Sequence, residues 1–154
     1  MKKILLIVLL ALGFAPAGAA AQNIALGERV PELKASAWLD DRQPEPARMT
    51  YVEFFQSSNP ACIASLKRLT ELTGKLGTKL RVIIVTKEEP EKIAPLIRPY
   101  LSKQVTAALN AEKGFSAFGV TYVPFGVLID AKNRALWMGN SMQINEKLIE
   151  QSTR

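Results

Sequence analysis

The sequence contains no histidine and a single cysteine, Cys62. Without histidine there is no cysteine–histidine catalysis, no histidine-bearing zinc site and little acid–base chemistry near neutral pH. With one cysteine no disulfide forms within the chain, and a monomer has no second thiol to complete a dithiol exchange cycle. One cysteine and four methionines, one of them the initiator, are thin ligation for copper, so no metal and no cofactor is expected. Dense Lys/Arg runs are missing too, and the formal net charge of +6 is spread along the chain. That argues against a nucleic-acid partner. No internal repeat is present.

Long apolar runs are confined to the start. Lys2 and Lys3 precede the apolar stretch from Ile4 to Phe14, and Ala19, Ala20 and Ala21 follow it. A basic tip, a short apolar core and small residues at the end form a secretory leader. Residues 1–21 are therefore read as a signal peptide, cleaved near Ala21 with Gln22 as the first mature residue; cleavage after Ala20 is the neighbouring alternative. The run is short for a spanning helix, and no cysteine lies there to carry a lipid anchor. The expectation is an exported chain without a stable membrane anchor, and for a bacterial leader of this kind, a periplasmic one. Losing Lys2 and Lys3 takes the charge from +6 to +4. Residues 22–154, about 133 of them, are enough for one domain with a sizeable core.

The chain is organised around Met49 to Leu76. Tyr51 to Phe55 is largely apolar and aromatic and reads as a central strand from Met49. It stops at a polar turn, Gln56 to Asn59, and a helix follows at once. Asn59 suits an N-cap and Pro60 the first helical position. Ala61, Ile63, Ala64, Leu66, Leu69 and Leu72 give an apolar stripe at helical spacing. Gly74 and Gly77 are two possible stops. Cys62 falls near the third helical position, where free amides and the helix dipole favour a thiolate. Glu53 interrupts the strand. A carboxylate inside a buried strand needs a reason; the plain ones are that it reaches solvent at the strand end or pairs with a lysine such as Lys79 or Lys132.

Downstream, Leu80 to Val85 is near-continuously apolar, as in a strand covered on both faces. Pro90 opens a helix that ends before Pro99, with Pro95 predicting a kink. Glu88, Glu89 and Glu91 read as its solvated start. Gln104 to Leu109 is a weaker strand, Asn110 to Gly114 a turn, and Phe115 to Phe118 one helical turn. Pro124 should begin the next strand, which runs to Asp130. Asp130 to Asn133 turns into a returning strand, Arg134 to Gly139. Gln143 to Gln151 is a closing helix with Ile144 and Leu148 toward the sheet. Ahead of all this, Ala35 to Leu39 reads as a short edge strand and Asp40 to Arg48 as a loop.

Two segments carry a family resemblance. VEFFQSSNPAC resembles the strand and turn of thioredoxin-like proteins, V-D/N-F-W-A-x-W-C-x-x-C. FGVTYVPFGVLIDAKNRALWMG resembles their Y-G-V-x-x-x-P-x-x-x-x-I-D-x-x-G-x-x-x-x-x-G segment, with Asn133 at the middle glycine. The likeness is nearest to the exported branch typified by TlpA and ResA and runs from about Gly27 to the C-terminus. It implies an α/β fold: a central mixed sheet of about four to five strands with helices on both faces. It also implies that Pro124 is a cis-proline facing the cysteine turn, leaving the backbone of Val123 free to pair with an extended substrate. Glu53 falls where the family keeps a buried aspartate beside its recessed cysteine, and the resemblance thus implies a desolvated carboxyl of raised pKa that takes a proton from Cys62.

The sequence departs from the family at the pair itself. Asn59 stands at the first, attacking cysteine and Ser58 at the preceding tryptophan, so NPAC replaces C-x-x-C and only the resolving position, Cys62, is kept. Cys62, Glu53 and Pro124 are the candidate catalytic residues, and Ser58, Asn59, Pro60 and Val123 the candidate groove. Four roles stay open. The domain binds a protein or peptide partner, thiol-bearing ones included, with Cys62 buried and inert. Alternatively, Cys62 is a single working thiol resolved by an external one, or it pairs with a second chain, or the module is structural.

Overall fold

The computed structural model describes residues 24–154, so the leader read over residues 1–21 lies outside the described residues. The strands are β1 (Ala37–Trp38), β2 (Met49–Phe55), β3 (Leu80–Thr86), β4 (Val105–Leu109), β5 (Phe125–Asp130) and β6 (Ala135–Asn140). The helices are α1 (Pro60–Leu76), α2 (Pro90–Ile97), α3 (Glu112–Phe118) and α4 (Glu146–Ser152). The strands form one mixed sheet in the order β1-β4-β3-β2-β5-β6. It is thus wider than the four to five strands expected, because the two-residue β1 adds an antiparallel edge to β4.

The direction of each crossover decides which face a helix covers. β2, β3 and β4 are parallel neighbours stepping one way across the sheet. Right-handed connections therefore place α1 and α2 on the same face. The step back from β4 to β5 carries α3 to the other. The two cores follow this division. Tyr51 and Phe55 of β2 pack with Leu66 and Leu69 of α1, Ile93 and Ile97 of α2, and Ile149 of α4. Val52 and Phe54, pointing the opposite way by strand alternation, pack with Phe115 and Phe118 of α3 and with Ile24 and Val30 of the lead-in. Phe54 lies 5.0 Å from Phe115 in an edge-to-face pair and 5.2 Å from Phe118.

Several boundaries differ from the sequence reading. α2 runs through Pro95 to Ile97 and tightens into a 3-10 turn only at Arg98–Tyr100. α3 begins at Glu112, inside the expected turn. α4 begins at Glu146, capped by Asn145, whose side chain accepts from the Leu148 amide at 2.9 Å. Ile144 is buried ahead of that helix, and Ile149 is its buried residue. The β5–β6 turn is built by Asp130, which accepts from the Lys132 and Arg134 amides at 2.9 Å each. Asn133 takes φ 65° there, a left-handed conformation that asparagine tolerates better than most residues. No helix of the described residues is long and apolar enough to cross a membrane.

Candidate functional site

β2 ends at the rim of the sheet, and the chain must reverse before α1. Gln56 to Asn59 makes that reversal, with the Asn59 amide donating to the Gln56 carbonyl at 3.2 Å. Asn59 is the N-cap: its Oδ1 accepts from the Ala61 amide at 2.9 Å, and Pro60 takes the first helical position. Cys62 is then the third helical residue. The Val123–Pro124 peptide, just before β5, is cis. Asn59 Nδ2 donates to the Val123 carbonyl at 3.0 Å. The turn and the proline loop therefore face each other, joined by one side-chain amide that is acceptor to the helix and donor to the loop.

This contact corrects one expectation. The Val123 carbonyl is not wholly free for a substrate strand, because one of its two acceptor positions is taken by the chain's own Asn59. Ser58 and Pro60 are exposed, and Asn59 and Val123 are half-buried.

Cys62 is fully buried among Tyr51, Phe55 and Leu66. Burial pushes its thiol up to about 11; a backbone hydrogen bond at Gln56 opposes this, while the Glu53 and Glu88 charges add to it. The helix N-terminus does not overcome desolvation here, so the sulfur tends to stay protonated.

Glu53 is also fully buried, and among the described residues neither carboxylate oxygen has a hydrogen-bond partner. It reaches neither solvent nor a lysine. Its nearest polar groups are hydroxyls committed elsewhere: Ser65 donates to the Cys62 carbonyl at 2.8 Å, and Ser141 is paired with the Tyr51 hydroxyl at 2.8 Å. Desolvation holds the Glu53 carboxyl well above the usual carboxylate range, with those serines pulling weakly the other way. Burial likewise raises the Tyr51 phenol, and Glu53 adds to that. Since a charge on Glu53 or Cys62 penalises the other, the pair carries at most one charge at ordinary pH.

Tyr51 reaches Ser141 only because β5 has a glycine diagonal to it, Gly126, the register partner of Glu53. A Cβ on Gly126 would stand 1.8 Å from the Tyr51 hydroxyl oxygen. Gly126→Ala should therefore displace the ring, break the Tyr51–Ser141 bond and cost about 2–4 kcal/mol. Denaturant unfolding measures that loss, and a cost under about 0.5 kcal/mol would mean that the ring moves freely.

A residue from the loop after β3 also holds the turn. Glu88 is not a solvated helix start. Its carboxylate accepts from the Ser57 amide at 2.8 Å and the Ser57 hydroxyl at 2.5 Å, and pairs with Lys92 at 3.0 Å. These contacts hold its pKa below the usual value although burial opposes them. Glu88 thus fastens the front of the turn as Asn59 fastens its back. Beside them a cavity of about 300 Å³ is bounded by Phe55, Glu88, Phe115, Tyr122 and Val123. Nothing in sequence spacing links Glu88 to Ser57 or Ser141 to Tyr51. Tyr51 precedes Glu53 by two in the sequence and so shares its strand face.

No protein-family description matches the chain, and no curated protein sequence matches it. Solved structures do. The chain superposes on a protein described as thiol:disulfide interchange protein DsbE from Chlorobium tepidum, at 17% identity over 85% of this chain and 99% of that one, with a TM-score of 0.67. For a thiol-disulfide isomerase from Corynebacterium glutamicum the values are 15%, 79%, 91% and 0.66. For a thioredoxin-like protein solved in solution in its oxidized form they are 20%, 80%, 93% and 0.66. Identities this low speak for architecture alone, and the architecture they share with this chain is the thioredoxin-like fold.

Proposed function

We propose that the chain is an exported thioredoxin-like protein of the TlpA and ResA kind whose active site is degenerate, and that it serves as a redox-accessory or partner-binding module. One observation carries this reading: Cys62, the only thiol, is sealed in the core with its pKa raised to about 11. Asn59 occupies the attacking position and uses its amide to close the turn onto the proline loop. Such a site has no nucleophile at its mouth. What it offers a protein or peptide partner is a fixed surface of Ser58, Pro60 and the Tyr122–Val123 loop, with Tyr122 44% exposed.

Periplasmic location rests on the leader pattern of residues 1–21. The single-thiol alternative needs a sulfur that ionises and is reachable, and burial opposes both. Pairing between chains through Cys62 meets the same obstacle.

Alkylation of Cys62 tests the proposal. In the folded protein at pH 8, labelling should run at least about 100-fold slower than in denaturant, because a pKa near 11 leaves little thiolate. Fast native labelling with a midpoint below about 8.5 would replace the binding reading with the working-thiol one.

A further inference from the structure

The pole opposite the cysteine turn has a site of its own. β2 begins there at Met49 and β5 ends there at Asp130, the two being register partners. Between these ends and the ends of α1 and α4 lies a cavity of about 710 Å³, within the range of small-molecule pockets. Its floor is aliphatic: Met49, Leu76 and Leu136 are half-buried, and Ile149 is buried. Its rim is cationic: Arg48, Lys79 and Lys132 are exposed and have no ion pair among the described residues. Of the two side-chain carboxylates there, Asp130 is held by Arg134 at 3.0 Å, which leaves Glu150 against four cationic side chains without an ion pair among the described residues, the exposed Arg154 being the fourth.

We propose that this pole binds a single-chain anionic amphiphile as a free monomer, its alkyl tail on the aliphatic floor and its carboxylate or phosphate on the cationic rim. Charge complementarity selects the head group, and an aliphatic floor without aromatic rings suits a flexible tail. β2 and β5 are hydrogen-bonded on both sides, so their ends offer no open edge to an extended peptide. The proposal is independent of the reading given to the turn.

The probe is sodium laurate below its aggregation threshold, added to the full chain carrying methyl-labelled methionine. A saturable shift of the Met49 methyl, assigned with Met49→Leu, is the expected result. Affinity should rise by about fourfold per methylene from octanoate to laurate while the tail still meets the floor. The double variant Lys79→Glu, Lys132→Glu should bind about tenfold more weakly. Both positions are exposed, and a circular-dichroism spectrum checks folding; the methyl ester of laurate supplies the same test on the unchanged protein and should also bind more weakly. No saturable Met49 shift, equal binding of the ester, or association with anionic vesicles but not with monomeric laurate would each overturn the proposal. Displacement of laurate by an acidic peptide at equal concentration would overturn it in favour of a protein partner.

Discussion

Asn59→Cys should give a chain that reduces about one substrate disulfide per polypeptide, against an expected near-zero yield for the wild type with its one buried thiol. The introduced thiol would sit at the N-cap, where the Ala61 amide now meets Asn59 Oδ1 at 2.9 Å. An amide aimed at a sulfur, together with the helix dipole, lowers a thiol pKa. The introduced thiolate attacks a substrate sulfur, the substrate S–S bond breaks and one substrate thiol leaves. Cys62 then attacks the mixed disulfide, the second substrate thiol leaves, and the chain keeps a disulfide across the turn. Two electrons have passed from chain to substrate. The variant loses the cap and the tie to Val123, each about 1 kcal/mol, so the domain should remain folded. The measurement is single-turnover reduction of a fluorescent glutathione disulfide by prereduced protein, with the wild-type chain as the blank. A folded variant with two titratable thiols and no turnover would overturn the assignment of the turn as a redox site.

Glu53→Gln should remove the loss of stability that sets in as pH rises above about 4 toward the folded-state pKa of Glu53. The sign follows from the proton balance. The folded-state pKa of Glu53 is raised by burial, while the unfolded chain titrates near about 4.3. Below that value both states are protonated and the residue adds no pH dependence. Above it the unfolded chain releases its proton first, so stability falls as pH rises until the folded pKa is passed. The slope in that window approaches about 1.4 kcal/mol per pH unit. Glutamine keeps the size of the neutral carboxyl and cannot ionise, so the variant and wild type should match near pH 4 and diverge steadily above it. Urea midpoints across that range decide the matter. Parallel curves for the two proteins would mean that Glu53 ionises without penalty and is hydrated in solution.

Much of the fold was legible because its central strands obey strong local rules. Met49 to Phe55 and Leu80 to Thr86 are dense in aromatic and β-branched residues, and the Asn59-Pro60 start of α1 has its cap and first-turn proline in sequence. The placement of Cys62 in the first helical turn followed from those two residues alone. What escaped depends on contacts between distant segments. Glu88 looks like any acidic helix start until β2 and β3 end side by side, with Phe55 opposite Thr86, and bring it to Ser57. Ile144 has a helical spacing with Leu148, yet it is buried from a loop, and the closing helix starts two residues later. The fate of the Val123 carbonyl was misjudged because the asparagine was weighed as a helix cap only, although its amide nitrogen stays free after the oxygen has capped.

The asparagine that joins the turn to the proline loop has a further property set by its neighbour. Asparagine ages when the following backbone nitrogen closes a ring on the side-chain carbonyl and expels ammonia. Here the next residue is Pro60, whose nitrogen carries no hydrogen, so that route is blocked. The side chain that donates to the Val123 carbonyl is thereby kept an uncharged amide as the protein ages.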